Sequence, residues 1–182
     1  MDTIRNGSFG LTNTNRMVRF YKGATGLKTG STDKAKFCVS ATAKRNGMHL
    51  ICVIMGTPSS DVRNTIATQL LNWGFANFEL YTDPQAPMDN IKIKMGVENE
   101  CQIQSAEFRV VIKKGDGNRI EKNILMPNVI TAPIHKGDEI GYVEYSINGK
   151  GVGKAPIIST VTVEKIDFWT LFVRILSKFL IK

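Results

Sequence analysis

Along this chain the spacing of apolar positions shifts repeatedly, and each shift predicts a different element. Residues 1–25 are polar, broken at Asn6-Gly7 and Gly10, with Met17-Val18-Arg19-Phe20-Tyr21 as one short apolar piece. Leu27–Thr32 then runs into a turn at Asp33-Lys34. Phe37–Ala43 predicts a strand, Asn46-Gly47 a hairpin turn, and His49–Met55 a continuous apolar strand buried on both faces. Pairing Arg45 with Met48 across that turn sets Cys52 opposite Ala41, with Cys38 on the other side of the sheet. Thr57-Pro58-Ser59-Ser60-Asp61 predicts a helix start capped by Ser59 or Ser60, and Val62, Ile66, Leu70 and Trp73 carry the helical period to about Phe78. The first 80 residues therefore read as three antiparallel strands with one helix packed on them.

Asp83-Pro84-Gln85-Ala86-Pro87-Met88-Asp89 has the composition of a linker, assigned to residues 83–90. Beyond it, short strands alternate with turns. Ile91–Met95 alternates Ile and Lys, Phe108–Ile112 and Asn118–Leu125 flank Gly115-Asp116-Gly117, and Glu139–Ile147 and Val152–Val163 flank Asn148-Gly149. Residues 91–163 are expected to form an all-β sandwich. From residue 164 the period becomes helical again: Phe168, Leu171, Phe172, Ile175, Leu176, Phe179 and Leu180 mark one face, and Asp167, Thr170, Arg174 and Lys178 the other.

Composition narrows the function classes. The chain has 182 residues, a net charge of +8 and 42% hydrophobic residues, enough for a real core and unlike a disordered chain. The basic excess is spread: ten basic against six acidic groups in 1–90, ten against eight in 91–163, and four against two in 164–182. With no run of five or six Lys/Arg and no aromatic stacking motif, a nucleic-acid partner is not expected. Cys38, Cys52 and Cys101 have no metal-ligand spacing, so no metal is expected, and the three are read as buried free thiols. The opening Met-Asp-Thr-Ile-Arg-Asn-Gly is not a signal peptide.

One stretch carries chemistry. GLKTGSTDKA, residues 26–35, places Lys28-Thr29-Gly30-Ser31 at the start of a strand that leads through a hairpin into an apolar strand and then a helix containing Leu71-Asn72-Trp73-Gly74-Phe75. With Leu11-Thr12-Asn13-Thr14-Asn15, Ser40-Ala41-Thr42-Ala43 and Val53-Ile54-Met55-Gly56, this text resembles the low-molecular-mass penicillin-binding proteins, the serine-type D-alanyl-D-alanine carboxypeptidases. The resemblance extends over essentially the whole chain.

It implies an α+β protein: residues 1–82 as the C-terminal portion of a β-lactamase/transpeptidase-like catalytic domain, then linker, sandwich and amphipathic helix. In that family Ser-x-x-Lys carries the nucleophile, Ser-x-Asn assists proton transfer and Lys-Thr-Gly binds substrate. Lys28 then places positive charge beside the nucleophile and Thr29 offers its hydroxyl to the terminal carboxylate of a stem peptide ending in D-Ala-D-Ala. Gly30 lets that peptide lie along the strand edge, and the Ser31 N–H forms half of an oxyanion hole.

Ser31-Thr32-Asp33-Lys34 matches Ser-x-x-Lys, but it overlaps the Lys-Thr-Gly strand and lacks the helix start that brings the two side chains together. Ser146-Ile147-Asn148 matches Ser-x-Asn at a hairpin turn. Neither is assigned a catalytic role. The expectation is a fragment of the enzyme without its nucleophile, with the nucleophile helix, the Ser-x-Asn subdomain and a signal peptide upstream, and β-lactams bound only when that part is present. No cofactor is expected. By the same resemblance His49–Met55 is an interior strand whose partners lie upstream. Residues 165–182 are too short and too charged to span a bilayer and are expected to lie on an anionic membrane surface, with Arg174, Lys178 and Lys182 reaching lipid. The rival reading from another class is a non-catalytic, membrane-surface envelope module.

Overall fold

Two Asn-Gly turns set the registers of the two long hairpins. Asn46 (φ 48°) and Gly47 (φ 79°), and Asn148 (φ 51°) and Gly149 (φ 74°), are left-handed in pairs, the arrangement that lets a two-residue turn follow the strand twist. A computed structural model describes residues 2–4, 9–11 and 13–180 of the chain. It divides into one unit of Met1–Leu80 with Val111–Gly115 and a second of Tyr81–Val110 with Asp116–Lys182.

In the first unit, β1 (Asp2–Ile4) pairs with β2 (Phe9–Leu11). The apolar piece around Met17 is a helix, α1 (Arg16–Phe20), capped by the Asn15 side chain, which accepts from the Met17 N–H at 3.2 Å. β3 (Ala24–Thr32), β4 (Lys36–Arg45) and β5 (Met48–Thr57) form an antiparallel sheet in that order. Arg45 faces Met48 and Ala41 faces Cys52, the register expected from the turn. α2 (Ser60–Asn77) follows, with Ser59 as its cap, accepting from the Val62 N–H at 3.2 Å.

Two expectations for this unit are corrected. β5 buries only one face: Cys52 is inside, whereas Ile51, Val53 and Met55 are 67%, 60% and 75% exposed. On α2 the row Val62, Ile66, Leu70, Trp73 lies outward, and the buried row is Arg63, Ala67, Leu71 and Gly74. Small residues decide the difference. A Cβ at Gly74 would come within 2.6 Å of Leu50 Cδ1, so the row containing Ala67 and Gly74 is the one that can approach the sheet. Val39, Ala41, Ala43, Cys52, Ala67 and Leu71, with Met17 from α1, form the core of the unit.

Then come β6 (Phe78–Asp83), β7 (Ala86–Pro87), β8 (Ile91–Lys94), β9 (Glu100–Cys101), β10 (Ile103–Ser105), β11 (Phe108–Lys113), β12 (Ile120–Leu125), β13 (Val129–Thr131), β14 (Glu139–Ile147) and β15 (Lys150–Ser159). In the second unit a five-stranded sheet, β12-β14-β15-β10-β7, and a three-stranded sheet, β13-β8-β9, contribute to one apolar core that includes Ile91, Ile93, Cys101, Ile103, Val143, Tyr145 and Ile157. Residues 83–90, read as a linker, include β7, which pairs with β10. The strands flanking Gly115-Asp116-Gly117 are not partners of each other: β11 pairs with β6, and β12 with β14.

Tyr145 stacks on Phe108 with centroids 3.9 Å apart and planes 6° from parallel. A Cβ at Gly153 would meet that Phe108 ring at 2.6 Å, so glycine is required there. All three cysteines are free; Cys52 and Cys101 are buried, but Cys38 is only half-buried, a further correction. The chain ends with α3 (Phe168–Leu180). Ile166, expected inside that helix, precedes it and is buried.

Candidate functional site

The strand that carries Lys28 is bent before it reaches it. Between Ala24 and Gly26 the β3–β4 register shifts, and Gly26 (φ 135°) and Leu27 (φ 145°) both have positive φ. Such a bulge re-aims the side chains that follow, and a non-glycine residue there is strained. After it, regular pairing resumes: Lys28 opposite Ser40, Thr29 opposite Val39, Gly30 opposite Cys38 and Ser31 opposite Phe37. Among the described residues β3 pairs only with β4, so its outer edge has no strand beside it.

Residues 28–31 line one wall of an open cleft of about 830 Å³, with Thr14, Arg16, Arg19 and Arg63 also in its lining. Lys28 Nζ donates to the Thr29 carbonyl at 2.7 Å, and the Thr29 and Thr14 hydroxyls are 3.3 Å apart. A Cβ built on Gly30 would meet nothing within 4 Å. The glycine therefore leaves room beside the strand and is not demanded by packing. Among the described residues the lining holds four cationic side chains and no carboxylate, with Arg16 paired to Asp61 outside it at 3.5 Å; the remaining positive charge suits an anionic ligand.

Arg63 was not singled out from the sequence. It is 5% exposed, donates from Nη1 to the Cys38 carbonyl at 3.4 Å, and shares Asn64 Oδ1 through Nε (3.2 Å) and Nη2 (3.1 Å). Among the described residues no carboxylate forms an ion pair with it. A buried cation without a counter-ion is costly, and its place in the first turn of α2 adds the positive end of the helix dipole. The available signal was that placement: an arginine one turn after a serine cap, where an acidic residue is favoured.

The other two candidate motifs remain separate from the cleft chemistry. Ser31 ends the Lys-Thr-Gly run on β3 and Lys34 lies in the following turn, with no helix between them. Ser146-Ile147-Asn148 ends β14 and enters its hairpin turn in the second unit.

Comparison with known proteins gives the family. The model of the penicillin-binding protein 5 C-terminal domain matches residues 75–165, half the chain, and that of D-alanyl-D-alanine carboxypeptidase matches residues 1–59. The chain belongs to the low-molecular-mass penicillin-binding proteins. D-alanyl-D-alanine carboxypeptidase DacF of Bacillus subtilis is 34% identical over 171 residues, covering 91% of this chain and 44% of that protein. DacC of Escherichia coli is 30% identical over 148 residues, covering 79% and 37%. The crystal structure of penicillin binding protein 5 from Haemophilus influenzae superposes with a TM-score of 0.68 at 29% identity, covering 79% of this chain and 43% of that one. This chain thus spans less than half the length of these relatives, and the two family models cover the Lys28-Thr29-Gly30-Ser31 run and residues 75–165 but stop short of Arg63.

Proposed function

We propose that this chain supplies the carboxylate-binding, peptide-aligning side of a serine D-alanyl-D-alanine carboxypeptidase site acting on peptidoglycan stem peptides. The observation that carries the reading is Arg63, a buried guanidinium with no counter-ion among the described residues, in the same cleft as Lys28 and Thr29. A peptide ending in D-Ala-D-Ala adds as a strand along the open edge of β3, over Gly30. Its terminal carboxylate is held by the Thr29 hydroxyl and the Arg63 guanidinium, a charge-assisted contact. Lys28 adds positive charge where a serine attacks the scissile carbonyl, and the Ser31 N–H stabilises the oxyanion as it develops.

Neither Ser-x-x-Lys nor Ser-x-Asn stands in its family context in these 182 residues, so the nucleophile comes from another segment. The chain alone neither hydrolyses stem peptides nor forms an acyl adduct with a β-lactam. Two features support completion by further protein: the exposed Ile51, Val53 and Met55 on β5, and Asn15 Nδ2, buried without a hydrogen-bond acceptor among the described residues.

The same reading puts the chain outside the cytoplasm, held peripherally on the outer face of the membrane by α3. Phe168, Trp169, Phe172, Val173, Ile175 and Leu176 are exposed, and no helix among the described residues is long and apolar enough to cross a bilayer.

The test is NMR titration of the chain with an acetylated tripeptide ending in D-Ala-D-Ala and with its C-terminal amide. The acid should bind and the amide should bind at least about tenfold more weakly, roughly 1.4 kcal/mol, with Arg63→Gln removing the preference. Equal affinity for acid and amide would overturn the reading. Exposure to a fluorescent penicillin should leave the protein unlabelled; label that disappears in Ser31→Ala would show that Ser31 is a nucleophile after all.

A further inference from the structure

The terminal helix turns the side that carries Leu171 and Arg174 toward its own domain and leaves most of its apolar face exposed. Successive helical residues advance by about 100°, which groups Leu171 and Arg174 on one side and sets Phe172 and Leu176 nearly opposite. Leu171 and Arg174 are half-buried, whereas Phe172 and Leu176 are exposed. Arg174 makes the contact: Nη1 donates to the Gly96 carbonyl at 3.4 Å and to Asn99 Oδ1 at 3.3 Å, and Nη2 donates to the Val97 carbonyl.

The receiving turn is closely packed. Met95 has φ 60°, and a Cβ at Gly96 would lie 2.8 Å from both the Glu98 carbonyl and Ile93 Cγ2 and 3.0 Å from Val163 Cγ1. The chain entering the helix is stitched to the same turn. The Val97 N–H donates to the Glu164 carbonyl at 2.9 Å and the Ile166 N–H to the Met95 carbonyl at 2.8 Å. Asp167 then caps the helix, accepting from the Thr170 N–H at 2.9 Å. Arg174 lies seven residues beyond that cap, about 10 Å along the axis.

We propose that Arg174 is a positioning residue that clamps the terminal helix to the 95–99 turn, so that its apolar face is held in one fixed outward direction. A helix attached only at its start would swing; a second attachment two turns later removes that freedom. Arginine suits the task because its planar fork serves three acceptors at once, which an ammonium on a flexible stem cannot do. Arg174 is thereby withdrawn from the lipid-contacting role expected of it, and Lys178 and Lys182 remain; the Lys178 side chain and Lys182 lie outside the described residues. The clamp is independent of what the apolar face meets, and its use in setting the attitude of the β-domain on lipid rests on the membrane reading above.

The test is residual dipolar couplings measured on the full chain in solution without lipid. In the wild type the amides of residues 168–177 should fit the same alignment tensor as those of β14 and β15. In Arg174→Gln and in Arg174→Lys the helix couplings should fall toward zero while its chemical shifts stay helical. Couplings unchanged in Arg174→Gln would overturn the clamp, as would full retention in Arg174→Lys, which keeps the charge and loses the fork. Co-sedimentation of the wild type with phosphatidylglycerol vesicles judges the membrane reading separately, since the couplings are read without vesicles.

Discussion

Tyr145, 1% exposed within the β-domain, donates its hydroxyl to the Asp83 carboxylate at 2.7 Å. Lys122 reaches the same carboxylate at 2.7 Å. Burial pushes the Asp83 carboxyl up, but the hydrogen bonds from Lys122 and Tyr145 outweigh it and hold the group below its ordinary value. The Asp83 hydrogen bond raises Lys122, and burial, then Asp83, raises Tyr145. A depressed carboxyl contributes stability above its unfolded value of about 3.9 and loses it as the pH falls through the folded value. Lys122 contributes below its unfolded value of about 10.4 and loses it as the pH rises through the folded one.

Urea unfolding followed through amides of β14 and β15 should therefore show an acid limb below about pH 4 that is reduced in Asp83→Asn. At neutral pH, Tyr145→Phe should cost about 1.5–3 kcal/mol, the range for a hydrogen bond to a charged group. An acid limb unchanged by Asp83→Asn would show that the triad is not its source.

Gly30 tests the cleft without testing the fold. Because a side chain there would meet nothing within 4 Å, Gly30→Val should unfold within about 0.5 kcal/mol of wild type, as surface changes do. It should nevertheless weaken the acetylated tripeptide by at least about tenfold, roughly 1.4 kcal/mol, by filling the space where the added strand lies. Undiminished peptide binding in that variant would place the ligand elsewhere.

The exposed face of β5 should govern association. Ile51 and Val53, 67% and 60% exposed, lie on β5, which among the described residues is one of the two edge strands of the three-stranded sheet, a combination that favours strand addition between chains. Replacing both with threonine keeps β-branched residues on the strand and removes apolar surface. Light scattering should show less self-association, with the melting of the β-domain unchanged. If self-association persists undiminished, another surface is responsible.

The apolar face of α3 should dominate vesicle binding. A well-buried large apolar side chain contributes roughly 1.5–3 kcal/mol, against about 1 kcal/mol for each basic group near an anionic surface. Phe172→Asp should therefore weaken co-sedimentation more than Lys178→Ala, and high salt should reduce binding without abolishing it. Equal sedimentation of the chain with and without residues 165–182 would rule out the helix as anchor.

What the sequence determined by itself is local. Asn46-Gly47 and Asn148-Gly149 specify their turns because they tolerate positive φ, and each turn then dictates its hairpin register, down to Ala41 opposite Cys52. Ser59 announces its helix through one hydroxyl and one N–H three residues on. The Lys28-Thr29-Gly30-Ser31 run stood out through the family resemblance of the text around it, and the structure places all four residues on β3, lining one cleft. What only the tertiary structure decided depends on which surfaces meet. α2 carries two rows at helical spacing, and the more apolar one lies outward because Ala67 and Gly74 allow close approach to Leu50 and β5. That same rotation carries Arg63 into the cleft. In α3 the period marks an apolar face but not which side meets the domain, since the acceptors for Arg174 sit on a turn 75–78 residues earlier. Such pairings join parts of the chain that no local period relates, so they exist only once the fold brings them together.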